Sequence, residues 1–522
     1  MEGVEDYPPS SLLTEEEEAT LLGLASDYSL STGLVLRPLS LSTTTSIHAP
    51  YSLYPSPFPK KLFEKAKSLQ QSYNKLYSKI TTDDEFLETV IGGNVIKVDD
   101  FTRKLYEIWK TVKREGIKQP ISLGIFRSDY LVHSPPPSNG KEQSEPSLKQ
   151  VEFNTISSSF GALSTKVSQL HRFLLQSNSY PSHRLLSPSN LSNLPLNPAL
   201  EGISKSLVDA HLAYENHEHS SILMVIQDGE RNAFDQRLLQ WTVTEKYKIP
   251  LLRIPFSQLR SPALSLSPHN SALLYTPPLA SKQPSSKQPI EISLVYYRTA
   301  YSPQDYYTPQ EWSTRLLIEK SLAIKCPSIG MQLSGCKKIQ QVLSQPSRLE
   351  KFVQDEKERK ELRESFVGLW GMEDGGEGEE LAMKESERFV LKPQREGGGN
   401  NIYRKDIPTF LSKLAKQDEK NRGEGEAKGK EGYILMELIQ PPEKMNQYLV
   451  KAGENQGKLC DVVSELGIYG TVLLKENLER GGGGCELLKN EEVGHLLRTK
   501  GRESDEGGIA VGFSVLDSPL LV

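Results

Sequence analysis

The sequence predicts an α/β fold, in which helices pack against a sheet and the strand ends carry the functional side chains. Two helical runs, 60–80 and 101–115, alternate with apolar runs too short for a helix, such as 121–126 and 221–226. Polar residues stand directly after these apolar runs. Because loops beyond strand ends carry the chemistry in α/β proteins, the pattern predicts a binding site at the edge of a sheet.

The composition limits the class of protein. The chain has 522 residues, more than one hydrophobic core usually supports, so we expect two or more lobes. Charged residues make up 25% and the formal net charge is −5, which gives no overall positive field to attract nucleic acid. The acidic N-terminus lacks the apolar core of a signal peptide, and no apolar stretch is long enough to span a membrane. We therefore expect a cytoplasmic protein with no nucleic-acid or membrane partner.

The cysteines predict neither a disulfide framework nor a metal site. Cys326, Cys336, Cys460 and Cys485 are few and scattered, and none stands near a His or Cys at metal-ligand spacing. Buried thiols are the expected state.

Several stretches rich in Ser, Pro, Gly or charge predict loops or insertions. They are 134–149, 177–199, 258–290, 371–387 and 417–431. The last two flank a glycine-rich motif, and their Gly, Glu and Lys content suits a mobile lid as well as a plain solvated insertion.

Three apolar runs predict strands that end in ligand-binding residues. The run 121–126 delivers Arg127 to a sheet edge, where a guanidinium can clamp a carboxylate with two hydrogen bonds. The run 221–226 leads through a polar turn into a helical stretch, which predicts a βα unit. The run ISLVYY, residues 292–297, is followed by Arg298 and Tyr301.

The segment VEFN predicts a strand with two oxygen donors on one face. Val151 and Phe153 alternate with Glu152 and Asn154, so the two polar side chains should point the same way, about 7 Å apart. Two such donors can share a hard cation. An ordinary strand with a solvent-facing side is the alternative.

The segment FVLKPQREGGGNNIY, residues 389–403, predicts a Mg-nucleotide site. Its apolar start predicts a strand that ends at Lys392 and Pro393. The glycines 397–399 remove three successive Cβ atoms, so backbone N–H groups can approach a phosphate closely. Glu396 would repel a bare polyphosphate but fits if Mg²⁺ lies between them. The alternative is a flexible surface loop, since neither GxxxxGK[ST] nor GxGxxG is present here.

Three further stretches supply parts of such a site. GCKKIQQVL places Lys337 at the start of a predicted helix. YILMELI, residues 433–439, predicts an apolar strand that could form a wall for adenine. SELGIYGTVLL, residues 464–474, predicts a strand beginning with Glu465.

Seven motifs of the chain together resemble the eukaryotic glutathione synthetase family: FVLKPQREGGGNNIY, VEFNTISSSFG, RNAFDQR, GCKKIQQ, YILMELI, SELGIYG and GHLLRTK. APYSLYPSPFP extends the similarity over nearly the whole chain. The resemblance implies an ATP-grasp fold with an inserted α/β substrate-binding domain and a glycine-rich lid. We expect an N-terminal part of the body at 1–217, the substrate-binding domain at 218–336 and a C-terminal part at 337–522.

The resemblance also implies an activity. Members of this family are usually homodimers that join glycine to γ-glutamylcysteine through an acyl phosphate, with ATP cleaved to ADP and phosphate. ATP is then a co-substrate, and two Mg²⁺ ions are expected per active site. Composition and spacing alone reach only a Mg-nucleotide site on an α/β frame.

Residue roles follow from the same resemblance. The expected metal ligands are Glu152, Asn154 and Glu396, and the expected catalytic residues are Arg127, Lys337, Lys392 and Arg498. Nucleotide contacts are expected from Glu152, Lys337, Lys392, Gln394, Arg395, Glu396, Gly397, Gly398, Gly399, Asn400, Asn401, Tyr403, Met436, Glu437, Leu438, Ile439, Glu465, Lys500 and Glu506. Peptide and glycine contacts are expected from Arg127, Ile156, Ser157, Ser158, Ser159, Glu230, Arg231, Asn232, Gln236, Arg298, Thr299, Ala300, Tyr301, Arg498, Ile509 and Ala510.

The chain departs from the family pattern near its end. Glu506 stands where an aspartate is common, and IAVG replaces a more alanine-rich run. The segments 397–399 and 506–512 are expected lids, and Val511 either narrows the acceptor site or packs against a neighbour. A ligase accepting β-alanine or serine is therefore one alternative. A catalytically inactive ATP-binding module is a second, although every expected metal ligand and phosphate lysine is present.

Overall fold

A computed structural model describes residues 6–40, 42–135, 145–277, 288–396, 398–421, 428–478, 483–505, 507–509 and 512–522. Its helices are α1 (Glu15–Thr32), α2 (Lys60–Thr81), α3 (Asp84–Leu87), α4 (Asp100–Glu115), α5 (Gly161–Gln176), α6 (Ala199–Leu212), α7 (Ala233–Trp241), α8 (Pro309–Glu319), α9 (Ile329–Ser334), α10 (Lys337–Ser344), α11 (Glu356–Ser365), α12 (Glu377–Lys384) and α13 (Asp406–Asn421).

The strands are β1 (Val35–Leu36), β2 (Ile47–His48), β3 (Tyr51–Ser52), β4 (Ser56–Phe58), β5 (Ile121–His133), β6 (Ser147–Asn154), β7 (Ser220–Ile226), β8 (Leu251–Pro255), β9 (Leu264–Leu266), β10 (Leu273–Tyr275), β11 (Ile290–Tyr297), β12 (Ile324–Cys326), β13 (Leu369–Gly371), β14 (Phe389–Pro393), β15 (Ile402–Tyr403), β16 (Tyr433–Glu437), β17 (Asn446–Val450), β18 (Gly457–Glu476), β19 (Cys485–Gly501), β20 (Val515–Asp517) and β21 (Pro519–Leu521). Two short pairs, β1–β2 and β4–β21, stand apart from two larger sheets.

The large sheet has thirteen strands in the part of the chain that the structure describes, and its main path is β17–β3–β20–β19–β18–β5–β12–β11–β10–β9. Strand β6 pairs with β5, while β7 joins β11 to β8. The long strands β18, β19 and β5 are antiparallel neighbours. The strands β5, β12, β11, β7 and β8 run parallel, so the region 220–326 joins the same sheet through β12 and β5. The proposed domain division at 218 and 337 stays a prediction.

Helices cover both faces of the large sheet. Alternate residues of its strands point in opposite directions, so chain neighbours contact different helices. Phe126 and Val295 belong to a core with α2, α4 and α8 to α11. Their chain neighbours Ile125 and Leu294 belong to a core with α1, α5, α6 and α7. The predicted α/β class is confirmed.

The small sheet has the order β13–β16–β14–β15 and is antiparallel. Phe389, Leu391 and Leu435 pack on one side against α12 and α13. Val390 and Met436 lie on the opposite side, here called the open side, in an apolar cluster whose members among the described residues all lie outside the helices. That open side faces the cavity described below.

Most predicted elements are confirmed, but two strand boundaries are wrong. The helical runs became α2 and α4, and the strands at 221–226 and 389–393 are β7 and β14. However, β5 continues to His133, so Arg127 lies within a strand, and β18 begins at Gly457, well before Glu465. A polar residue does not end a strand when its backbone pairs with neighbouring strands, as that of Arg127 does with β6 and β18. Because β5 extends beyond the end of β12, Arg127 still lies past the carboxyl ends of the parallel strands.

Two predicted insertions contain regular structure. The segment 258–290 includes the antiparallel pair β9–β10, and 371–387 includes α12. The high charge of 371–387 suggested an insertion without regular structure. In α12, however, charged residues one turn apart form an ion pair, Lys384 with Glu380, which supports the helix in addition to apolar packing. Residues 136–144 and 422–427, parts of two other predicted loops, lie outside the described residues. The segment 177–199 is irregular apart from a short 3₁₀ turn, as predicted.

The four cysteines are free thiols, of which Cys326 is buried and the others are partly buried. Within the described ranges, no helix is both long and apolar enough to cross a lipid bilayer.

Candidate active site

A cavity of about 410 Å³ lies between the large sheet and the open side of the small sheet. It brings together residues that are far apart in the sequence, and most of those predicted for the site line it. The predicted residues at its wall are Arg127, Glu152, Asn154, Ile156, Ser157, Ser158, Ser159, Glu230, Asn232, Arg298, Tyr301, Lys337, Lys392, Arg395, Glu396, Gly398, Asn400, Asn401, Tyr403, Met436, Glu437, Leu438, Ile439, Glu465, Arg498, Lys500 and Ile509.

One wall, here called the arginine wall, consists of Arg127, Arg498, Arg298 and the turn 157–160 on the large sheet. Its centre is Asp129, a carboxylate with no solvent exposure. Arg127 donates from Nε to Asp129 Oδ1 at 2.6 Å and from Nη2 to Oδ2 at 2.9 Å. Arg498 Nη2 also donates to Oδ2, at 3.0 Å. Asp129 therefore fixes two arginines at once.

The geometry of the sheet makes room for this arrangement. Asp129 and Arg127 are two residues apart in β5, so they share a face of the strand. Gly467 on β18 stands opposite Asp129. A Cβ atom on Gly467 would lie 2.7 Å from Asp129 Oδ1 and 2.8 Å from Arg127 Cδ, so a larger residue would displace the ion pair.

A second buried carboxylate, Asp235 on α7, organises the other part of the arginine wall. Arg298 Nη2 donates to Asp235 Oδ2 at 2.8 Å. The same carboxylate accepts from the backbone nitrogens of Phe160 at 3.0 Å and Ala162 at 2.9 Å, at the start of α5. Arg298 Nη1 is buried and has no hydrogen-bond partner among the described residues. A donor of this kind beside a cavity is suited to a ligand carboxylate.

A second wall, here called the lysine wall, consists of Lys337, Lys392, Glu152 and Glu396. Lys337 Nζ lies 3.4 Å from Glu152 Oε2 and 3.8 Å from Glu396 Oε1, at the start of α10. Lys392 Nζ donates to the carbonyl oxygen of Val151 at 3.1 Å. Two ammonium groups and two carboxylates thus face one space.

The two carboxylates of the lysine wall differ in proton affinity. Burial raises the pKa of Glu396 to about 7, a shift that nearby Glu152 increases and Lys337 opposes. Burial also acts to raise the pKa of Glu152, but the charges of Lys337 and Lys392 outweigh it and lower that pKa to about 2. One further cation near these carboxylates would be favourable, because burial penalises unneutralised negative charge.

These residues fit Mg²⁺ shared with a phosphate group. Asn154 Nδ2 donates to Asp129 Oδ2 at 3.0 Å, which leaves its amide oxygen as the second hard donor on the strand of Glu152. No group of three or more His, Cys, Asp or Glu that could hold a metal occurs in the described part of the chain. Mg²⁺ suits so sparse a donor set, since it takes one or two carboxylates and completes its shell with phosphate oxygens and water.

The open side of the small sheet gives the cavity an apolar surface. Val390, Met436, Leu438, Ile439 and Tyr403 form this surface beside the lysine wall. A flat apolar slot next to two ammonium groups is suited to a purine base with its phosphates.

Two loops meet at the outer side of the cavity. Arg404 Nη1 donates to Asp505 Oδ1 at 2.5 Å, and Lys500 Nζ donates to the carbonyl oxygen of Asp505 at 2.7 Å. A Cβ atom on Gly398 would lie 3.2 Å from the carbonyl oxygen of Gly507, so the loop backbones approach closely. Gly397, Glu506, Ala510 and Val511, predicted for these loops, lie outside the described residues.

Six predicted residues do not line the cavity: Arg231, Gln236, Thr299, Ala300, Gln394 and Gly399. Gln236 supports a residue that does line it, and Gln394 connects its turn to α10. Gln236 Nε2 donates to Glu230 Oε2 at 2.9 Å, and Gln394 Oε1 accepts from the backbone nitrogen of Lys338 at 3.1 Å.

Sequence reasoning missed several residues of the wall: Leu131, Val151, Phe160, Gln227, Val390, Arg404, Pro441, Val463, Arg502, Ser504, Asp505 and Ser514. Val151 was expected on the face opposite Glu152. A β-bulge pairs Asp129 with Glu152 but Tyr130 with Gln150, so the extra residue Val151 also reaches the cavity. The supporting role of Asp129 had a usable signal, its spacing of two from Arg127.

Comparison with known proteins gives consistent results. A family model described as eukaryotic glutathione synthase, ATP binding domain, matches residues 15–521. Glutathione synthetase of Dictyostelium discoideum is 37% identical, over 95% of this chain and 97% of its own. That of Homo sapiens is 35% identical, over 98% of each chain. A solved glutathione synthetase-like effector from Globodera pallida, in its apo form, has a TM-score of 0.70 and 24% identity over 98% of both chains, which supports the fold alone.

Proposed function

Because the chain belongs to the eukaryotic glutathione synthase family, and so is an ATP-dependent ligase that forms glutathione, we propose that it joins glycine to γ-glutamylcysteine in the cavity between its two sheets. The observation that carries this placement is that an arginine wall and a lysine wall line the same cavity. ATP-grasp is the fold expected of the family.

The arginine wall suits γ-glutamylcysteine. This dipeptide carries two carboxylates and one ammonium group, so it requires arginines and hydrogen-bond acceptors rather than an apolar pocket. Arg298 offers an unused Nη1 donor, and Glu230 offers a carboxylate that is held by Gln236. Since both Arg127 and Arg498 are already oriented by Asp129, little ordering is needed when the peptide binds.

The lysine wall and the apolar surface of the small sheet suit ATP. Adenine would lie against Met436 and its neighbours, with the phosphates toward Lys337, Lys392 and the glycine-rich segment. We propose that Glu152, Asn154 and Glu396 hold Mg²⁺, two ions per site. When bound, the ions neutralise and polarise the phosphate oxygens.

The ligation then proceeds in two steps. A carboxylate oxygen of the cysteine residue attacks the γ-phosphorus, which forms an acyl phosphate and releases ADP. The glycine amine next attacks the acyl carbon, and phosphate leaves with the bridging oxygen. Lys337 and Lys392 stabilise charge on the transferring phosphoryl group, while Arg127 and Arg498 hold the carboxylate in line.

Water has to be excluded, because an acyl phosphate hydrolyses when exposed. The contacts of Arg404 with Asp505 and of Gly398 with Gly507 support a role for the two loops as a cover. Ile509 lines the cavity beside them, which favours the glycine-binding end of the site at this position. A homodimeric state, expected from the family, and a cytoplasmic location, expected from the sequence, remain predictions; light scattering of the purified chain tests the first.

The test is phosphate release and product mass with ATP, γ-glutamylcysteine and either glycine, β-alanine or serine. We expect glutathione as the main product, with glycine preferred by about tenfold to two-hundredfold in kcat/KM, since one excluded carbon is worth little more in a close-fitting pocket. If β-alanine or serine were preferred, that amino acid rather than glycine would be the acceptor. No ATP cleavage with any acceptor would contradict the proposal.

A further inference from the structure

Asp99 lies behind the cavity, directly before α4, and its two carboxylate oxygens have different partners. Oδ2 accepts from the backbone nitrogen of Thr102 at 2.9 Å and from its hydroxyl at 2.5 Å, which caps the helix. Oδ1 forms an ion pair with Nη1 of Arg395. Asp99 is only 6% exposed, whereas the Arg395 side chain is 30% exposed, so water screens this pair in part.

Arg395 belongs to the turn that leads from β14 into the glycine-rich segment. Its backbone nitrogen donates to the carbonyl oxygen of Pro393 at 2.8 Å, and its Nη1 donates to that of Gln394 at 2.7 Å. The side chain therefore folds over its own turn toward Asp99. Glu396, the next residue, faces Lys337 across the lysine wall.

The same turn is attached to a second helix. Gln394 Oε1 accepts from the backbone nitrogen of Lys338, the second residue of α10. The turn is thus held between the first residues of α4 and those of α10. Beyond it, three glycines follow in the sequence, and these residues lose more conformational freedom than any other type when they become ordered.

We propose that Asp99 is a positioning residue for the nucleotide: by holding Arg395, it fixes the turn that presents Glu396 and the glycine-rich segment to the ATP phosphates. The inference rests on the proposed nucleotide site. Asp99 itself does not line the cavity and acts only through Arg395. With the turn already ordered, less conformational entropy is lost when ATP binds.

If Arg395 instead left Asp99 to bind ATP, removing the charge of Asp99 would raise the affinity for ATP rather than lower it. A carboxylate and a phosphate compete for one guanidinium group, so an arginine that leaves Asp99 when ATP binds would bind ATP more tightly after Asp99 is neutralised. Nucleotide affinity therefore distinguishes the two relations by direction.

The test uses Asp99→Asn in the full chain, because asparagine caps helices as well as aspartate but carries no charge. We expect the affinity for MgADP, measured by calorimetry, to fall about threefold to tenfold, as expected for the loss of one partly shielded ion pair. KM for ATP should rise by the same factor, while KM for γ-glutamylcysteine stays unchanged. Asp355→Asn is the matched control, since Asp355 caps α11 by accepting from Glu358 N at 2.7 Å and does not line the cavity.

A second variant shows whether Asp99 acts through Arg395. In an Arg395→Gln background, Asp99→Asn should have no further effect on MgADP affinity. Unchanged or tighter MgADP binding in Asp99→Asn, or equal weakening in both backgrounds, would overturn the inference. If Asp99→Asn does not fold, Arg395→Lys should bind MgADP more tightly than Arg395→Gln, and equal affinities would overturn it. A wild-type chain that binds no MgADP would instead refute the proposed nucleotide site.

Discussion

The arginine wall and the lysine wall of the cavity are held together by different means. Each guanidinium of the arginine wall is paired with a buried carboxylate, Asp129 or Asp235, that does not line the cavity. Arg498 is also paired with Glu465, which does line it. The ammonium group of Lys337 instead faces Glu152 and Glu396, which line the cavity themselves.

This difference separates stability from activity. A buried carboxylate that loses its arginine leaves an uncompensated charge in the protein, so changes in the arginine wall should destabilise the fold. Charges of the lysine wall are neutralised in part by what binds between them, so changes there should reduce turnover and leave the fold intact. The predictions below test this division, beginning with the largest effect.

Arg127→Ala should lower the free energy of unfolding by about 3 to 5 kcal/mol, since Asp129 stays buried with fewer partners. Chemical denaturation followed by circular dichroism measures it. Lys392→Ala is the matched change in the lysine wall and should cost about 1 kcal/mol, because Lys392 has a single carbonyl partner, Val151. Adding Asp129→Asn to Arg127→Ala should restore part of the stability. Equal losses for Arg127→Ala and Lys392→Ala would refute the division.

Glu396→Gln should reduce kcat about a hundredfold or more with little change in melting temperature, since a ligand for phosphate-bound Mg²⁺ is lost. Steady-state kinetics at saturating Mg²⁺ measures this. Glu387→Gln, an exposed glutamate just before β14, is the control and should keep full activity. Unchanged turnover in Glu396→Gln would remove Glu396 from the metal site.

The sequence predicts the lysine wall better than the arginine wall, and the reason is physical. Lys392, Glu396 and the glycines lie within one short segment, so their spacing alone indicates an anion site. The carboxylate of Asp235 meets Arg298 and the start of α5 only after three distant segments pack together. No local pattern marks such a residue.

Some errors had a local cause. Arg127 was expected after a strand because polar residues often end strands, but β6 and β18 supply partners on both sides of β5. The β-bulge that brings Val151 to the cavity breaks the period of two on which the prediction relied. The contact of Arg404 with Asp505 joins residues about a hundred positions apart, and neither belongs to a motif that the sequence singled out.

Acid should weaken the large sheet first. Burial lowers the pKa of His495, on β19, to about 3, whereas the unfolded chain binds that proton near pH 6.5. Below pH 6.5 the unfolded state therefore holds more protons, and stability falls with pH by about 2 kcal/mol between pH 6.5 and pH 5. Residues 337–437, which contain the small sheet, have no histidine.

Unfolding of the wild type and of His495→Gln at pH 6.5 and pH 5 tests this prediction. The variant should lose less stability on acidification, and hydrogen exchange should quicken more in β19 than in β14 and β16. If the wild type and His495→Gln lost the same free energy of unfolding between pH 6.5 and pH 5, His495 would not be the group responsible.

The smallest effect is expected where the two loops meet at the outer side of the cavity. Arg404 and Asp505 form a partly exposed ion pair, so their coupling should be at most about 1 kcal/mol and should fade at high salt. A double-mutant cycle with Arg404→Ala and Asp505→Ala, read out as ATP hydrolysed per glutathione formed, measures it. Each single variant should waste more ATP than the wild type, and the double variant no more than either. Additive losses would show that the two residues act independently.

If both walls serve one reaction through an acyl phosphate, an oxygen atom of the peptide passes to phosphate, and isotope labelling detects this transfer directly. γ-Glutamylcysteine labelled with ¹⁸O in its cysteine carboxylate is converted with glycine and ATP, and the released phosphate is analysed by mass spectrometry. Because the attacking carboxylate oxygen leaves with the phosphate, we predict one labelled oxygen in each phosphate released. Unlabelled phosphate, formed at the same rate as glutathione, would contradict the mechanism.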